Sequence, residues 1–450
     1  MEIKTLRLSQ VRGYVQAEFQ FRPGMNLLVG INGVGKSTVL DTIRILMSQI
    51  LPEITATTSK ADFFDTEHIS IEHKFLTVEM QIETSGVEFE YFVHKQLNEY
   101  SSPAQRKSAY KPAHHVGREK RISRRRLDQE GYRRPEFADF YSDSPIPSNF
   151  KSKVEQPFAV FYSTRRSLWN RAVSAKTRQN ASGQAVAFVE ALSINRELST
   201  REFAEWWLTR EILADEGDST AKPLLAALQS AALTFLDDFT SIRAIQDEGG
   251  AKLKMAKGNI ELDVLQLSDG ERGMLTLALD LARRLAQANP NLQDPLREGK
   301  AVVLIDELDL HLHPRWQRTI VQKLTETFPA CQFIATTHSP LIIGEVQPDG
   351  LIFLTNEDGR IVIRQGDQGY GLDSSYILEH LMATNSRATP SRVQINLVED
   401  ALEEGDLSQA RNHLNELRKM LHGDDDEVIR LDASINNLEA LADEVDPEEE

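Results

Sequence analysis

The chain begins in short apolar–polar alternations and changes period several times. Ile3, Leu6 and Leu8 are apolar in a polar-interrupted run, Phe19 and Phe21 alternate, and residues 25–29 are apolar up to Gly30. Residues 1–30 therefore read as strands. Over 38–51 the period becomes helical: Val39, Leu40, Ile43, Leu46, Met47 and Ile50 share one broad stripe, and Pro52 ends it. Residues 69–96 alternate again around Ser85-Gly86, which predicts a hairpin. Residues 158–162 return to strand, 184–245 read as mainly helical, 253–265 as strands and 272–288 as a helix. Ala-Val-Val-Leu-Ile at 301–305 predicts a buried strand; a helix at 314–327, a strand at 332–336 and strands within 350–365 follow. In the tail, Leu407, Ala410, Leu414, Leu417 and Leu421 recur at three- and four-residue steps up to Gly423. Val428, Leu431, Ile435, Leu438 and Leu441 do the same, so 391–443 predicts a helical hairpin. The Asp424-Asp-Asp426 run after Gly423 reads as an N-cap cluster.

Composition narrows the class. At 450 residues, 40% apolar and 26% charged, the chain can bury a large core and has the usage of an ordinary globular protein. No run of eighteen apolar residues is present, so no membrane span or membrane partner is expected. The N-terminus alternates like a strand and lacks a signal-peptide core. A single cysteine, Cys331, excludes an internal disulfide and fits a reducing cytoplasm. The net charge of −17 is unevenly spread. Residues 106–134 carry eleven Lys/Arg against three acids, and 399–450 carry eighteen acids against four bases. The stretch 98–150 is rich in Arg, Ser, Pro and Tyr and poor in aliphatic residues, as a loop-like insertion is. Its Arg118, Lys120, Arg121, Arg124, Arg125 and Arg126, with Tyr110 and Tyr132 nearby, suit a phosphate backbone as well as they suit a solvated loop or one docked on an acidic neighbour.

Four segments carry chemistry. Gly30-Ile-Asn32-Gly33-Val-Gly35-Lys36-Ser37-Thr38 satisfies G-x-x-x-x-G-K-[ST] between a strand and a helix, the context this phosphate loop requires. Its glycines turn backbone N–H groups inward on a phosphate, Lys36 is placed for the β- and γ-phosphates of ATP, and the Ser37 hydroxyl for Mg²⁺. The buried strand 302–305 ends in Asp306 and Glu307: Asp306 is the candidate to hold Mg²⁺ through water, and Glu307 the candidate general base. Ser268-Asp-Gly270-Glu opens an apolar-periodic segment and reads as a second anion-binding helix N-terminus, or as a plain N-cap. One phosphate loop needs no second such turn, which points to a phosphate held by another subunit. Finally, the apolar strand 333–337 ends at His338, a candidate contact for the γ-phosphate. Asp309, His311 and His313 alternate between these segments, and a metal site there is weighed and set aside for want of further ligands.

The order of these segments resembles that of ABC ATPases. The resemblance implies that Ser268 and Gly270 are signature residues, that Asp309 belongs to the D-loop and that His338 is the switch histidine. It also implies that Arg12 lies near the nucleotide, as in RecF- and Rad50-like members. The Q-loop stays unplaced among Asp65, Glu67 and Gln81. Ser-Asp-Gly-Glu and Thr-His-Ser-Pro resemble the RecF/SMC/OLD side of the superfamily more than transporter cassettes. SMC and Rad50 proteins carry hundreds of heptad residues between the two phosphate turns, a run missing here, and no Toprim nuclease of the OLD kind is expected. Leu304-Ile-Asp306-Glu307-Leu-Asp309-Leu-His311-Leu-His313-Pro314-Arg-Trp316, Thr337-His338-Ser-Pro340 and Gly405-Asp-Leu-Ser-Gln-Ala410-Arg411 are similar to the PtuA-type ATPases of Septu and retron-associated antiphage systems. The 162–166 stretch is similar to that family's strand-and-arginine pattern as well.

That likeness implies an α/β ABC-type P-loop head, a mixed sheet with a helical lobe, interrupted by the basic insertion and ending in the helical hairpin. The expected divisions are 1–97 and 300–390 for the ATPase lobe, 98–156 for the insertion, 157–299 for the helical lobe and 391–450 for the acidic tail. The implied activity is ATP hydrolysis by a homodimer or higher homo-oligomer that regulates a partner HNH nuclease, with no nuclease site in this chain. A RecF-like protein that binds DNA directly in repair is the alternative.

Overall fold

Strands that are apolar at most positions need cover on both faces, and the computed structural model sets four of them side by side in one sheet. The structure describes residues 1–57, 59–71, 73–84, 86–96, 156–166, 183–194 and 198–445, and the backbone of 115–119 and 169–170. Strands β1 (Glu2–Val11), β2 (Tyr14–Gln20) and β3 (Met25–Gly30) lead into helix α1 (Lys36–Ile54). Then come β4 (Phe75–Thr84), β5 (Val87–Gln96), β6 (His115–Glu119), β7 (Phe158–Tyr162) and a two-residue parallel pair, β8 (Trp169–Asn170) with β9 (Leu198–Ser199). Helices α2 (Thr200–Asp215) and α3 (Ala221–Phe235) precede β10 (Ser241–Asp247), β11 (Gly250–Lys257), β12 (Ile260–Asp263) and helix α4 (Asp269–Ala288). The strand β13 (Ala301–Ile305), helix α5 (Ile320–Thr327), and strands β14 (Gln332–Thr337), β15 (Leu351–Glu357) and β16 (Arg360–Gln365) follow.

The central sheet has the order β16-β15-β3-β14-β13-β7. Its neighbours from β15 to β7 run parallel, and β16 closes the edge antiparallel. β7, β13 and β14 are buried at every position; β7 and β13 are unbroken runs of apolar and aromatic residues, while β14 also buries Gln332, Thr336 and Thr337. The second sheet, β2-β1-β4-β5-β6, is antiparallel, and β1 and β4 alternate buried and half-exposed positions as one-sided strands do. Helix α1 lies against the central sheet, and the Tyr91 hydroxyl on β5 donates to Gln49 Oε1 on its other side at 3.2 Å. The sheets are tied by Gln332, whose side chain accepts from the Ile3 N–H at 2.7 Å and donates to the Ile3 carbonyl at 2.8 Å.

Three expectations needed revision. The end of the mainly helical stretch 184–245 is strand: in β10, Ile242 and Ala244 alternate into the core and pair with β11. Period two outweighs the helical run before it. The helix at 314–327 is two pieces, Pro314–Gln317 and Ile320–Thr327. The Thr319 hydroxyl turns back toward the Trp316 carbonyl at their junction. The tail is more than a hairpin.

The chain divides into two units, 1–372 and 373–450. In the second, α6 (Thr389–Glu403) packs on the two expected arms, α7 (Leu407–Leu421) and α8 (Asp426–Val445). Ile395, Val398 and Ala401 of α6 join Ala410, Leu414, Leu417, Val428, Leu431 and Ile435 in one core. Leu438 and Leu441, expected on the buried stripe, are exposed. Asp425 caps α8 by accepting from the Val428 N–H at 2.9 Å. Among the described residues, no helix is long and apolar enough to cross a membrane.

Candidate active site

Ligands of parallel α/β sheets gather beyond the carboxyl ends of the strands, and β3, β13 and β14 deliver the candidate residues to that edge. After β3 the backbone turns through Gly33 and Gly35, with φ of +81° and +101°, a region L-residues rarely adopt. A Cβ on Gly35 would lie 2.7 Å from the Tyr14 hydroxyl, so the loop also needs glycine for space. Gly35 is the N-cap of α1. Having no side chain, it leaves the first amides of the helix open to an anion. Asn32, Gly33 and Ser37 are exposed and Thr38 is half-buried. The Lys36 ammonium donates to the carbonyls of Gly30 at 2.7 Å and Ile31 at 3.0 Å. Burial pulls its pKa down to about 8, against the opposing charges of Asp306, Asp309 and Glu307.

The Ser37 hydroxyl lies 3.2 and 3.3 Å from the two carboxylate oxygens of Asp306, bringing together residues 269 apart in the chain. A buried threonine holds this pair in place. The Thr336 hydroxyl donates to Asp306 Oδ1 at 2.8 Å and accepts from the Glu307 N–H at 2.7 Å. Glu307 has a φ of +49°, so the base candidate sits on a left-handed turn that these contacts maintain. The next threonine repeats the device: Thr337 Oγ1 donates to Asp309 Oδ1 at 2.5 Å, which also accepts from the His338 N–H at 3.2 Å. Asp309 is thereby joined to the strand end that carries His338. Burial, then the nearby Lys36 charge, lowers the His338 pKa, and Asp309, Glu307 and Asp306 oppose the shift. Burial and Lys36 thus favour the neutral imidazole in the nucleotide-free site.

Sequence reasoning gave no role to Thr336 and Thr337, and noted Arg166 only within the family-like 162–166 stretch. The available signal for the first two was a pair of hydroxyls closing an apolar strand. Arg166 is buried, and its guanidinium donates to the carbonyls of Asp306 at 2.7 Å, Glu307 at 2.6 Å and Leu308 at 3.3 Å.

The other sequence candidates stand as follows. Arg12, with a φ of +47°, donates its N–H to the His68 carbonyl at 2.8 Å, and its guanidinium lies 3.5 Å from Asp41 on α1. Burial pushes the Asp41 carboxyl up, but the hydrogen bond from His68 and the contacts of Arg44 outweigh it and hold the pKa low. Of the Q-loop candidates, Asp65 caps a short turn, Glu67 is exposed and Gln81 accepts from the Thr5 hydroxyl at 2.8 Å. Ser268 caps α4 in a capping box: Glu271 Oε2 accepts from its N–H and from its hydroxyl, both at 2.8 Å. A Cβ on Gly270 would lie 2.4 Å from the His311 carbonyl, so the α4 N-terminus rests against the D-loop candidate segment. His313 caps the helix at Pro314–Gln317. Among the described residues, no group of three His, Cys, Asp or Glu is placed to hold a metal ion. Arg118 stands on β6, while Lys120, Arg121, Arg124, Arg125 and Arg126 lie outside the described residues.

These features define the class: an α/β ATPase head of the ABC type, with a phosphate loop on its sheet and a second anion-type turn on its helical lobe. Residues 25–344 match the family model described as "AAA domain, putative AbiEii toxin, Type IV TA system". The chain belongs to this family, and parts of it are similar to Septu PtuA proteins. It is 25% identical over 423 residues to the "Retron Ec83 probable ATPase" of Escherichia coli, a match covering 86% of this chain and 77% of that protein. It is also 40% identical over 100 residues to the Septu protein PtuA of Bacillus mycoides (strain KBAB4), covering 22% of this chain and 13% of that one. Among solved structures, an SMC head bound to the C-winged helix domain of ScpA aligns at 15% identity and a TM-score of 0.45, covering 81% of this chain and 98% of that one.

Proposed function

We propose that two copies of this chain clamp ATP between the Gly30–Ser37 loop of one and the Ser268–Glu271 turn of the other, and that the clamp switches a partner. The observation that carries the reading is the convergence of Lys36, Ser37, Asp306, Glu307 and His338 at one sheet edge. The hydrogen bonds of Ser268 meanwhile stay within its own turn. Lys36, held over the loop by two carbonyls, exchanges them for the β- and γ-phosphates. Ser37 and Asp306 offer a hydroxyl and an oriented carboxylate facing each other, a hard-oxygen pair that fits a small divalent cation keeping part of its water shell. Mg²⁺ bound there would draw negative charge off the phosphate oxygens. Glu307 takes the proton of the attacking water, and His338 donates to the γ-phosphate or orients that water. Asn32, Gly33, Gly35 and Thr38 line the loop, Arg12 lies at the nucleotide, and Asp309 keeps the D-loop on the His338 strand end.

The partner in this reading is an HNH nuclease acting on nucleic acid in a cytoplasmic antiphage complex. The likeness to a retron ATPase over most of the chain and to Septu PtuA supports it. The basic stretch 106–134 favours a second reading, direct DNA binding of the RecF kind. Unchanged DNA binding after neutralising 118–126 would take this stretch out of the contact, and no DNA binding by the unaltered protein would remove the second reading.

For the clamp, Glu307→Gln should lower turnover by about 10²–10⁴-fold, the span of a lost general base. With ATP and Mg²⁺ it should elute as a stable dimer in light-scattering chromatography. Normal turnover in this variant would show that the base is wrongly assigned. A monomer under the same conditions would sink the clamp.

A further inference from the structure

Arg166 is a buried charge that binding and hydrolysis of ATP, as described, do not use. Its side chain spends its hydrogen bonds on three successive carbonyls, those of Asp306, Glu307 and Leu308. A planar fork suits that task because it reaches two or more acceptors at once from a fixed direction. The grip falls on the turn that is left-handed at Glu307, where loss of support would let the backbone relax toward an ordinary conformation.

The other side of Arg166 faces the signature helix. The Thr276 hydroxyl on α4 lies 3.0 Å from the Arg166 carbonyl and 2.8 Å from that of Arg272, one turn back. A Cβ on Gly273 would come 4.0 Å from Arg166 Nε, so this face of α4 passes directly over the guanidinium. Four residues earlier, the Tyr162 hydroxyl donates to Asp280 on the same helix at 3.0 Å, and the Tyr162 carbonyl accepts from the Asp306 N–H at 2.9 Å. The end of β7 is therefore a wedge, with α4 on one side and the base-bearing turn on the other.

We propose that Arg166 is a positioning residue that couples the signature helix to the Glu307 turn of the same subunit, so that ATP pressed on Ser268 by the second copy sets the base of the first. The inference rests on the ATP clamp. It adds that the two composite sites communicate inside each chain along Ser268, α4, Thr276, Arg166 and Glu307. A ligand at one end of a packed element can bias the other only if contacts at both ends differ between two states. The Thr276 hydroxyl, shared between two carbonyls, is a contact that can differ.

The experiment compares the full chain with Arg166→Lys and Thr276→Val, measuring ATP affinity, turnover, KM and the Hill coefficient. Arg166→Lys keeps the charge and loses the fork. Its turnover should fall about 10²-fold, the scale of a displaced catalytic group. ATP affinity should stay within about threefold, as expected when the loss is confined to the reacting state. Thr276→Val should retain at least about a tenth of the turnover while its Hill coefficient drops toward 1, since coupling and chemistry are separate quantities. Wild-type turnover in Arg166→Lys, a Hill coefficient of 1 in the wild type, or an unchanged coefficient in Thr276→Val each overturns the proposal. If Arg166→Lys does not fold, Thr276→Val decides alone. A Glu307→Gln protein that stays monomeric with ATP rejects the clamp itself, whereas a trapped Glu307→Gln dimer with normal coupling in Thr276→Val rejects only this inference.

Discussion

The two phosphate-type turns of the chain share a geometry and differ in what occupies them. At Gly30–Ser37 the helix begins behind a glycine, so its first amides have no side-chain partner from the cap. At Ser268–Glu271 the helix begins behind a serine whose N–H and hydroxyl both donate to Glu271, and whose hydroxyl oxygen accepts from the Glu271 N–H at 3.3 Å. The first turn is an open receptor. The second is closed on itself by a carboxylate and must let go before its hydroxyl can meet a phosphate. Such a difference suits a division of labour in which one turn binds ATP in its own subunit and the other engages only when a second copy brings ATP to it.

The largest expected effect separates the turns by subunit. Lys36→Ala should weaken ATP binding by about 100-fold or more, because a buried charge-assisted contact to phosphate is lost. Ser268→Arg should keep ATP binding and lose dimerisation and turnover. Mixed in equal amounts, the two inactive variants should recover turnover, up to about half of the wild type's, since only mixed dimers form and each holds one intact composite site of two. No recovery on mixing would mean that both turns act within one chain, and the comparison would break. A smaller effect follows from the closure of the second turn. Glu271→Gln keeps a capping side chain but removes a negative charge that faces the incoming phosphate. It should lower the ATP concentration for half-maximal dimerisation by about three- to tenfold, the range expected of one partly exposed charge. A higher requirement would show that Glu271 assists the phosphate contact.

How much of this was readable depended on whether the determining contacts are local. The phosphate loop, the strand ending in Asp306-Glu307 and the strand ending in His338 were legible because each is one contiguous pattern whose period fixes its element. The capping box at Ser268 was legible too, as one of two readings of the same five residues. Thr336 and Arg166 were not legible as site residues, because their roles lie in hydrogen bonds to residues 29 to 142 positions away. The tail shows the same limit in packing terms. The stripes of α7 and α8 were visible, but the third partner, α6, contributes Ile395, Val398 and Ala401, whose relation to the other two is tertiary. Leu438 and Leu441 obey the helical period yet stay exposed, so periodicity gave a face and not its cover.

The smallest expected effect concerns protons, and it belongs to the first turn alone. Burial lowers the Lys36 pKa from 10.5 to about 8, so the nucleotide-free protein begins to lose this charge as pH rises past 8. In the unfolded chain the same group keeps its proton to about 10.5, so between these values the unfolded state binds more protons. Lys36 then makes the nucleotide-free protein more stable with rising pH across that window. ATP reverses the preference, because phosphates beside the ammonium favour its charged form and raise its pKa in the complex. Binding above pH 8 must therefore take up a proton, and affinity should fall by up to about tenfold between pH 8 and 9. Calorimetry at pH 8.5 in two buffers of different ionisation heat reads the uptake directly. The Glu271→Gln protein should show the same uptake as the wild type, because the substitution leaves the loop around Lys36 untouched. Zero uptake in the wild type would mean that Lys36 enters the complex already charged, and that the carbonyls of Gly30 and Ile31, not burial, set its state.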